Sequence, residues 1–230
     1  MKKIVTILAT LMLTTMSINF AKAEGFAVGV TGAYNMIEAD GTETEGTAAD
    51  TSTRTKSVSN NVFTGSVFAE YSYANVSYAD SGVTVGVKYT PGSADVSDKV
   101  FSRTDTAVGT GAAGSSSGSV TYKAQAEVEN YRNFYLDIPL YQSLYVKAGW
   151  SQIDVNTKES GASTTGTYGN TTLDGINYGV GVKGEKGNII WKLAYEATNF
   201  DTLNLTSSTS NKIKADLDTS EVNLSVGYKF

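Results

Sequence analysis

The sequence has no cysteine and no histidine, and only two of its 230 residues are proline. Without cysteine the chain cannot form disulfides or thiolate metal sites, and it offers no thiol nucleophile. Without histidine it lacks the usual general base of serine and cysteine hydrolases. Its net charge of −5 argues against nucleic-acid binding, which needs a basic surface. We therefore expect a protein that is not an enzyme and has no metal, cofactor or nucleic-acid partner.

Residues 1–23 have the pattern of a secretory signal peptide. Two lysines precede a largely apolar stretch, and the small residues Ala21 and Ala23 form a cleavage pattern. We expect cleavage before Glu24 and a single mature domain over 24–230. An uncleaved membrane anchor is the alternative, but the apolar stretch is shorter than the ~20 residues of a spanning helix, and threonine and serine dilute it.

The mature chain alternates apolar and polar residues in eight runs. A period of two residues is typical of β-strands, because successive side chains point to opposite faces of a strand. No helical period is sustained, and the abundant threonine and tyrosine also favour strands. The predicted strands cover residues 26–36, 63–71, 83–89, 120–128, 144–151, 176–183, 189–196 and 221–230.

The connections between these strands alternate between long and short. Short turns are predicted at 79–82, 139–142 and 184–188. Long polar loops, rich in glycine, threonine and serine, are predicted at 39–61, 91–119, 154–174 and 201–215. With both chain ends on the short-turn side, this is the layout of an outer-membrane barrel. The sequence thus predicts an all-β fold, an eight-stranded antiparallel up-and-down transmembrane β-barrel.

The apolar faces of the predicted strands are expected to face lipid. The polar faces carry mostly small residues, which suits the narrow lumen of an eight-stranded barrel. Aromatic residues flank the apolar runs, with Phe26 and Trp191 at the turn end and Tyr34 and Trp150 at the loop end. Two such belts are typical of the two membrane interfaces.

Charged residues on the polar faces are then expected to form a lumen charge network. The predicted members are Glu70, Lys88, Glu127, Lys147, Lys183, Lys192, Glu196, Glu221 and Lys229. Because both signs are present, these side chains can pair and fill the lumen as a structural element. A path that conducts protons or ions is the alternative.

One stretch of the fourth predicted strand conflicts with this scheme. If the alternation continues unbroken, Asn130 and Arg132 share the lipid-facing side with Phe134. A β-bulge could re-phase the strand, or the long side chain of Arg132 could reach an interface. The sequence leaves both explanations open.

The last predicted strand ends in a pattern that is known from a family of membrane proteins. Its alternating apolar residues finish in phenylalanine: Val222, Leu224, Val226, Tyr228 and Phe230. This pattern is similar to the C-terminal assembly signal of bacterial outer-membrane barrels. Over 24–230 the chain resembles the small eight-stranded barrels of the outer-membrane protein A and opacity-protein type, as a barrel alone. The resemblance implies a Gram-negative outer membrane, contact with its lipid and lipopolysaccharide, and periplasmic chaperones and the barrel-assembly machinery as transient partners.

The leading functional hypothesis is a structural or adhesion-like role through the four external loops, which we expect to be mobile and polar. The alternative is a narrow, porin-like channel for ions or solutes, although an eight-stranded barrel is only wide enough for its own side chains. A soluble, lipocalin-like carrier of the periplasm is the third and least favoured hypothesis.

Overall fold

The computed structural model describes residues 25–47, 50–75, 82–97, 101–106, 119–160, 167–208 and 210–230. The predicted cleavage site at Ala21, Ala23 and Glu24 lies outside these residues. No helix in the described part of the chain is long and apolar enough to cross a membrane. The strands are β1 (Gly25–Thr47), β2 (Asp50–Asn75), β3 (Gly82–Asp95), β4 (Phe101–Thr106), β5 (Ser119–Tyr141), β6 (Leu144–Ser160), β7 (Thr171–Lys186), β8 (Ile189–Phe200), β9 (Leu203–Thr206) and β10 (Lys212–Lys229).

Eight of these strands close into an antiparallel barrel. Their order around the barrel is β1, β2, β3, β5, β6, β7, β8 and β10. Pairing of β10 with β1, for example Val226 with Val30, completes the circle. The short strands β4 and β9 pair with β5 and β10 at the loop end. The predicted eight-stranded barrel is confirmed.

The predicted strand faces are also found, except in the fourth strand. On β10 the apolar residues of the final segment are about half exposed, whereas Asn223 and Ser225 between them are buried. Aromatic pairs mark the two ends of the outward apolar band. The rings of Phe26 and Phe230 lie 6.3 Å apart at the turn end, and those of Tyr34 and Phe63 lie 4.9 Å apart at the loop end.

Most described residues of the predicted long loops form strands instead. β1 and β2 remain paired without a break from Gly25 and Ser72 to Thr47 and Asp50, through the described residues of the predicted loop, 39–47 and 50–61. The strands β4 and β9 lie inside two other predicted loops. These segments escaped prediction because water surrounds both of their faces, so they carry polar residues on both and lose the period-two signal. Cross-strand hydrogen bonds still satisfy their backbone.

A β-bulge in β5 explains the conflict in the fourth predicted strand. The register between β5 and β6 shifts between the pairs Glu129–Asp154 and Arg132–Gln152. Asn130 adopts a φ of 55°, in the left-handed region that asparagine tolerates better than most residues. Because the extra residue reverses the alternation, Val128 is buried inside the barrel. The predicted lipid-facing orientation of this strand is therefore wrong at Ala126 and Val128, which pack inside the barrel.

Arg132 remains on the outer face and has polar partners there. Its Nη1 donates to Gln152 Oε1 at 2.8 Å, and its Nη2 lies 3.0 Å from Asp154 Oδ2. Tyr89 pairs with Arg132 across the β3–β5 ladder, next to the loop-end aromatic belt. The guanidinium is therefore satisfied by two polar side chains of β6 at the level of the loop-end aromatic belt, as expected for a long side chain that reaches an interface.

The turn between β5 and β6 is displaced from its predicted position. It is formed by Gln142 and Ser143, with a φ of 48° at Gln142, and Pro139 belongs to β5. The turn between β7 and β8 lies within the predicted range, at Gly187 and Asn188, where Gly187 has a φ of 61°.

Candidate functional site

Glu196 on β8 is the centre of the loop-side half of the lumen charge network. Its Oε1 lies 2.8 Å from Lys147 Nζ, and its Oε2 lies 3.2 Å from Lys88 Nζ. Asn223 donates to Glu196 Oε1 at 2.8 Å, and Lys88 also pairs with Glu221. Glu196 is only 2% exposed. One buried carboxylate thus bridges two lysines that come from β3 and β6.

Lys192 is the centre of the turn-side half. It pairs with Glu70 and lies 3.3 Å from Asp137 Oδ2. Tyr135 donates its hydroxyl to Glu70 Oε2 at 2.6 Å. Lys147 connects the two halves, because its Nζ is 3.9 Å from Asp137 Oδ1 as well as bonded to Glu196. The buried charges therefore form one continuous network that crosses the lumen.

Lys183 and Lys229 occupy the turn-side part of the lumen. Lys183 donates to the carbonyl oxygen of Gly82 at 3.2 Å and to Thr84 Oγ1 at 3.1 Å. Lys229 pairs with Glu185 at 2.7 Å at the rim. Neither residue forms an ion pair with the central carboxylates among the described contacts. The structure thus joins six of the predicted residues in the network: Glu70, Lys88, Lys147, Lys192, Glu196 and Glu221.

The prediction that Glu127 belongs to the lumen is wrong. The bulge at Asn130 places it on the other face of β5, where it pairs with the exposed Lys158 beyond the loop-end aromatic belt. The hydrogen bond from Lys158 lowers the pKa of the Glu127 carboxyl. This pair is chemically similar to the buried pairs but lies outside the lumen, and the side chain of Lys158 is 55% exposed, which makes the pair a useful reference.

Sequence reasoning missed two residues of the network, Tyr135 and Asp137. Both are fully buried. The predicted fourth strand ends at residue 128, yet its continued alternation puts Phe134 on the lipid side. Continuing the strand with that phase would have pointed Tyr135 and Asp137 into the lumen. In the part of the chain that the structure describes, no group of three or more acidic side chains is placed to hold a metal ion.

Glycines make room for the large side chains of the lumen. A Cβ at Gly86 would lie 2.4 Å from the ring of Tyr135, and one at Gly181 would lie 2.6 Å from that of Tyr145. Small residues on one strand thus accept aromatic rings from another, as expected for the packed interior of a small barrel. The lumen-facing side chains are therefore small because large side chains from other strands fill the space in front of them.

An apolar layer closes the lumen on the loop side of the charge network. It contains Ile37, Val96, Val128, Ile153, Val155, Leu173, Phe200 and Leu217. Tyr131 joins the two regions, because its ring packs edge-on against Phe200 at 6.4 Å while its hydroxyl lies 2.9 Å from Ser151 Oγ. The interior therefore changes from charged to apolar along the barrel axis.

The strand extensions beyond the membrane touch one another. We call the described strand segments beyond the loop-end aromatic belt the external crown. Tyr168, which precedes β7, donates to Glu43 Oε1 on β1 at 2.9 Å. Ser208, which follows β9, donates its backbone N–H to the carbonyl oxygen of Thr167 at 3.1 Å. Three hairpins are thus tied together by direct hydrogen bonds.

The exterior of the barrel has the features of an outer-membrane protein. It presents an apolar band between two aromatic belts, short turns at one end and long extensions at the other. This combination is typical of outer-membrane β-barrels. The chain is a small eight-stranded barrel of that architecture, and its surface suits an outer membrane.

The sequence matches no protein-family model and no curated protein sequence. Among solved structures the chain is similar to Ail, the attachment invasion locus protein of Yersinia pestis, with 14% identity over 88% of this chain and 99% of that chain and a TM-score of 0.37. It is similar to the outer membrane protein OprG of Pseudomonas aeruginosa, with 13% identity over 90% and 97% and a TM-score of 0.40. It is similar to the outer membrane protease OmpT of Escherichia coli, with 8% identity over 94% and 100% and a TM-score of 0.42. These similarities concern the barrel architecture alone.

Proposed function

We propose that the protein is a non-enzymatic, non-conducting anchor in a Gram-negative outer membrane that holds the external crown at the cell surface. The observation that carries this proposal is the filled lumen. Buried ion pairs occupy its middle, and the apolar layer occupies its loop side. An interior filled in this way serves the barrel's own stability.

The lumen charges support structural filling over conduction. Lys88, Lys147 and Lys192 each have a carboxylate within 3.3 Å, so their charges are compensated inside the protein. A hydrated ion that followed this route would have to break those pairs and then cross apolar side chains without water. Neither step suits a porin-like channel.

The external crown supports a role in surface contact. It projects beyond the aromatic belts, and its hairpins are hydrogen-bonded to each other. Functional residues are often carried by surface segments that a rigid scaffold positions. We propose that lipid and lipopolysaccharide surround the barrel, and that periplasmic chaperones and the assembly machinery handle it before insertion. The half-exposed apolar side chains of its last strand would suit that recognition.

The anchor proposal predicts no conductance. Purified full-length barrel, inserted into planar lipid bilayers, is expected to give no stepwise current, because the apolar layer and the ion pairs leave no hydrated path. Insertion is checked by heat-dependent gel mobility of the same preparation, and a known porin is the positive control. Reproducible unitary currents from the inserted wild-type barrel would contradict the proposal and favour a narrow channel.

The crown is predicted to carry the surface contacts. Residues 41–56 can be replaced by a two-residue turn that joins Asp40 to Ser57, because these residues are paired and a tight turn fits that register. Bacteria displaying this variant are expected to adhere less to cultured cells and to neighbouring bacteria than bacteria displaying the full chain. Equal adhesion at equal surface amounts would contradict a contact role for this part of the crown.

A further inference from the structure

The barrel wall has a gap between β2 and β3. Pairing of these strands ends at Val67 and Tyr89, although both strands continue further toward the loop end. The cause lies in β3: Pro91 has no N–H to donate to a ladder, and Gly92 adopts a φ of 91°. These two residues turn β3 away from its neighbour. Two side-chain hydrogen bonds flank the gap, Ser66 to Thr90 at 2.7 Å and Asn60 to the carbonyl oxygen of Asp95 at 2.7 Å.

A cleft of about 210 Å³ runs inward from this gap. We call it the side cleft. Its mouth is formed by Phe63 and Pro91, and Phe63 is 84% exposed. Because Phe63 packs against Tyr34 in the loop-end aromatic belt, the mouth opens at the level of the membrane interface. Molecules dissolved in that interface can therefore reach it from the side.

The inner walls of the side cleft combine apolar side chains with hydroxyl and amide groups, and acidic side chains lie where it meets the charge network. Ile37, Val128 and Ile153 from the apolar layer line it. Three carboxylates line it, Glu129, Glu196 and Glu221, and the last two, which bond to Lys88 of the charge network, form its floor. No lysine or arginine is among the described residues that line it. Beyond the floor the charge network fills the lumen, so the cleft is a blind pocket.

Glu221 is the carboxylate best placed to meet a ligand. Both of its hydrogen bonds in the described part of the chain, from Lys88 and Asn223, go to the same oxygen, Oε1. The side chain of Glu221 is 13% exposed, whereas that of Glu196 is 2% exposed and bridges two lysines. The second oxygen of Glu221 thus offers an acceptor at the end of a partly apolar passage, an arrangement that suits a cationic donor.

We propose that the side cleft binds a small amphipathic amine. Its ammonium group would donate to the Glu221 carboxylate, and its short apolar chain would lie against Ile37, Ile153 and Phe63. This inference rests on the proposed membrane location, because the ligand enters from the interface. It is independent of the crown and adds a ligand site to a barrel that otherwise acts as an anchor.

Hexylamine is the probe for this site, with hexanol and hexanoate as matched neutral and anionic probes. The full-length barrel is placed in phosphatidylcholine nanodiscs at neutral pH, and binding is followed by methyl NMR of Ile37 and Ile153. We expect saturable shifts with hexylamine and weak, non-saturating shifts with the other two probes. Losing the charge-assisted hydrogen bond in Glu221→Gln should weaken binding about tenfold or more.

Two further variants separate binding from folding. Glu127→Gln removes a distant carboxylate outside the lumen and is expected to leave hexylamine binding unchanged. Phe63→Ala removes a ring of the exposed mouth, far from the charge network, and is expected to weaken hexylamine binding. Saturable binding that neither Glu221→Gln nor Phe63→Ala changes, or no saturation at all, would overturn the proposal. A barrel that gives no current in planar bilayers and does not bind hexylamine would overturn the proposed amine site in the side cleft. The proposal of a non-conducting anchor would still stand.

The ammonium group could also belong to a lipid. Nanodiscs that contain phosphatidylethanolamine test this source, because its headgroup carries a primary amine and phosphatidylcholine does not. Weaker apparent hexylamine binding in those discs would support the same site with a lipid headgroup as its occupant. Unchanged binding would support a free amine as the ligand.

Discussion

Replacing Glu196 by glutamine is expected to lower the free energy of unfolding by about 3–5 kcal/mol, the usual cost of leaving a buried charge without its partner. Among the described residues, Lys147 would keep Asp137, at 3.9 Å, as its one ionic partner. Lys88 would keep Glu221. Glutamine has nearly the shape of glutamate, so the loss measures charge compensation more than packing.

Urea unfolding of the barrel in phospholipid vesicles, followed by fluorescence of its two tryptophans, gives this free energy. Glu127→Gln is the matched control, because it breaks a glutamate–lysine pair outside the lumen whose lysine is exposed to water, and such pairs contribute little. The double variant Glu196→Gln with Lys147→Met removes the stranded cation together with its partner. It should recover part of the lost stability, since a buried pair replaced as a whole costs less than a broken one.

An unchanged stability in Glu196→Gln would mean that water reaches Lys88 and Lys147. In that case the lumen would be hydrated, and the non-conducting anchor would lose its main support. A double variant less stable than Glu196→Gln alone would instead show that the aliphatic part of Lys147 packs against Tyr135, whose ring centroid lies 4.0 Å from Lys147 Nζ. The two outcomes separate the stability that the network provides by charge compensation from the stability that its side chains provide by packing.

The lipid-facing half of the fold was predictable because the membrane forces a strict pattern on it. Residues such as Val28, Val30 and Val226 must be apolar where lipid touches them, and their neighbours must differ. Beyond the aromatic belts this constraint ends. Thr42 and Thr55 pair across the β1–β2 hairpin with water on both faces. The sequence therefore shows no apolar–polar alternation there from which a strand could be predicted.

The candidate site was predictable in its membership and not in its pairings. Alternation tells which residues point inward, and it identified Lys88 and Glu196. It does not tell that these two meet, because they are 108 residues apart and their contact depends on the register of every strand between them. The single bulge at Asn130 reversed the part of the strand before it, and that error placed Glu127 in the network. Asp137 was missed for a different reason, because the predicted strand ended at residue 128. The gap between β2 and β3 at Pro91 and Gly92 could not be predicted either. The alternation within one strand does not show where its pairing with a neighbouring strand ends.

Placing arginine at Val30 is the second change with a large expected effect. Val30 is 61% exposed, lies midway between Phe26 and Tyr34 of the two aromatic belts, and pairs with Val226 and Val67. Its side chain therefore faces the middle of the bilayer. A cation at that depth of a transmembrane barrel costs about 2–4 kcal/mol. Val30→Arg should lower the free energy of unfolding in vesicles by this amount, whereas Val30→Leu should not.

Asp40→Arg provides the depth control, because Asp40 lies on the same face of β1 beyond the loop-end belt and is exposed to water. A large loss at Val30 with little change at Asp40 would show that lipid, and not the local strand, opposes the charge. A soluble, lipocalin-like carrier would behave differently, since Val30 would then face water and accept arginine at little cost. Equal stability of Val30→Arg and the wild type would therefore contradict the membrane-spanning band itself.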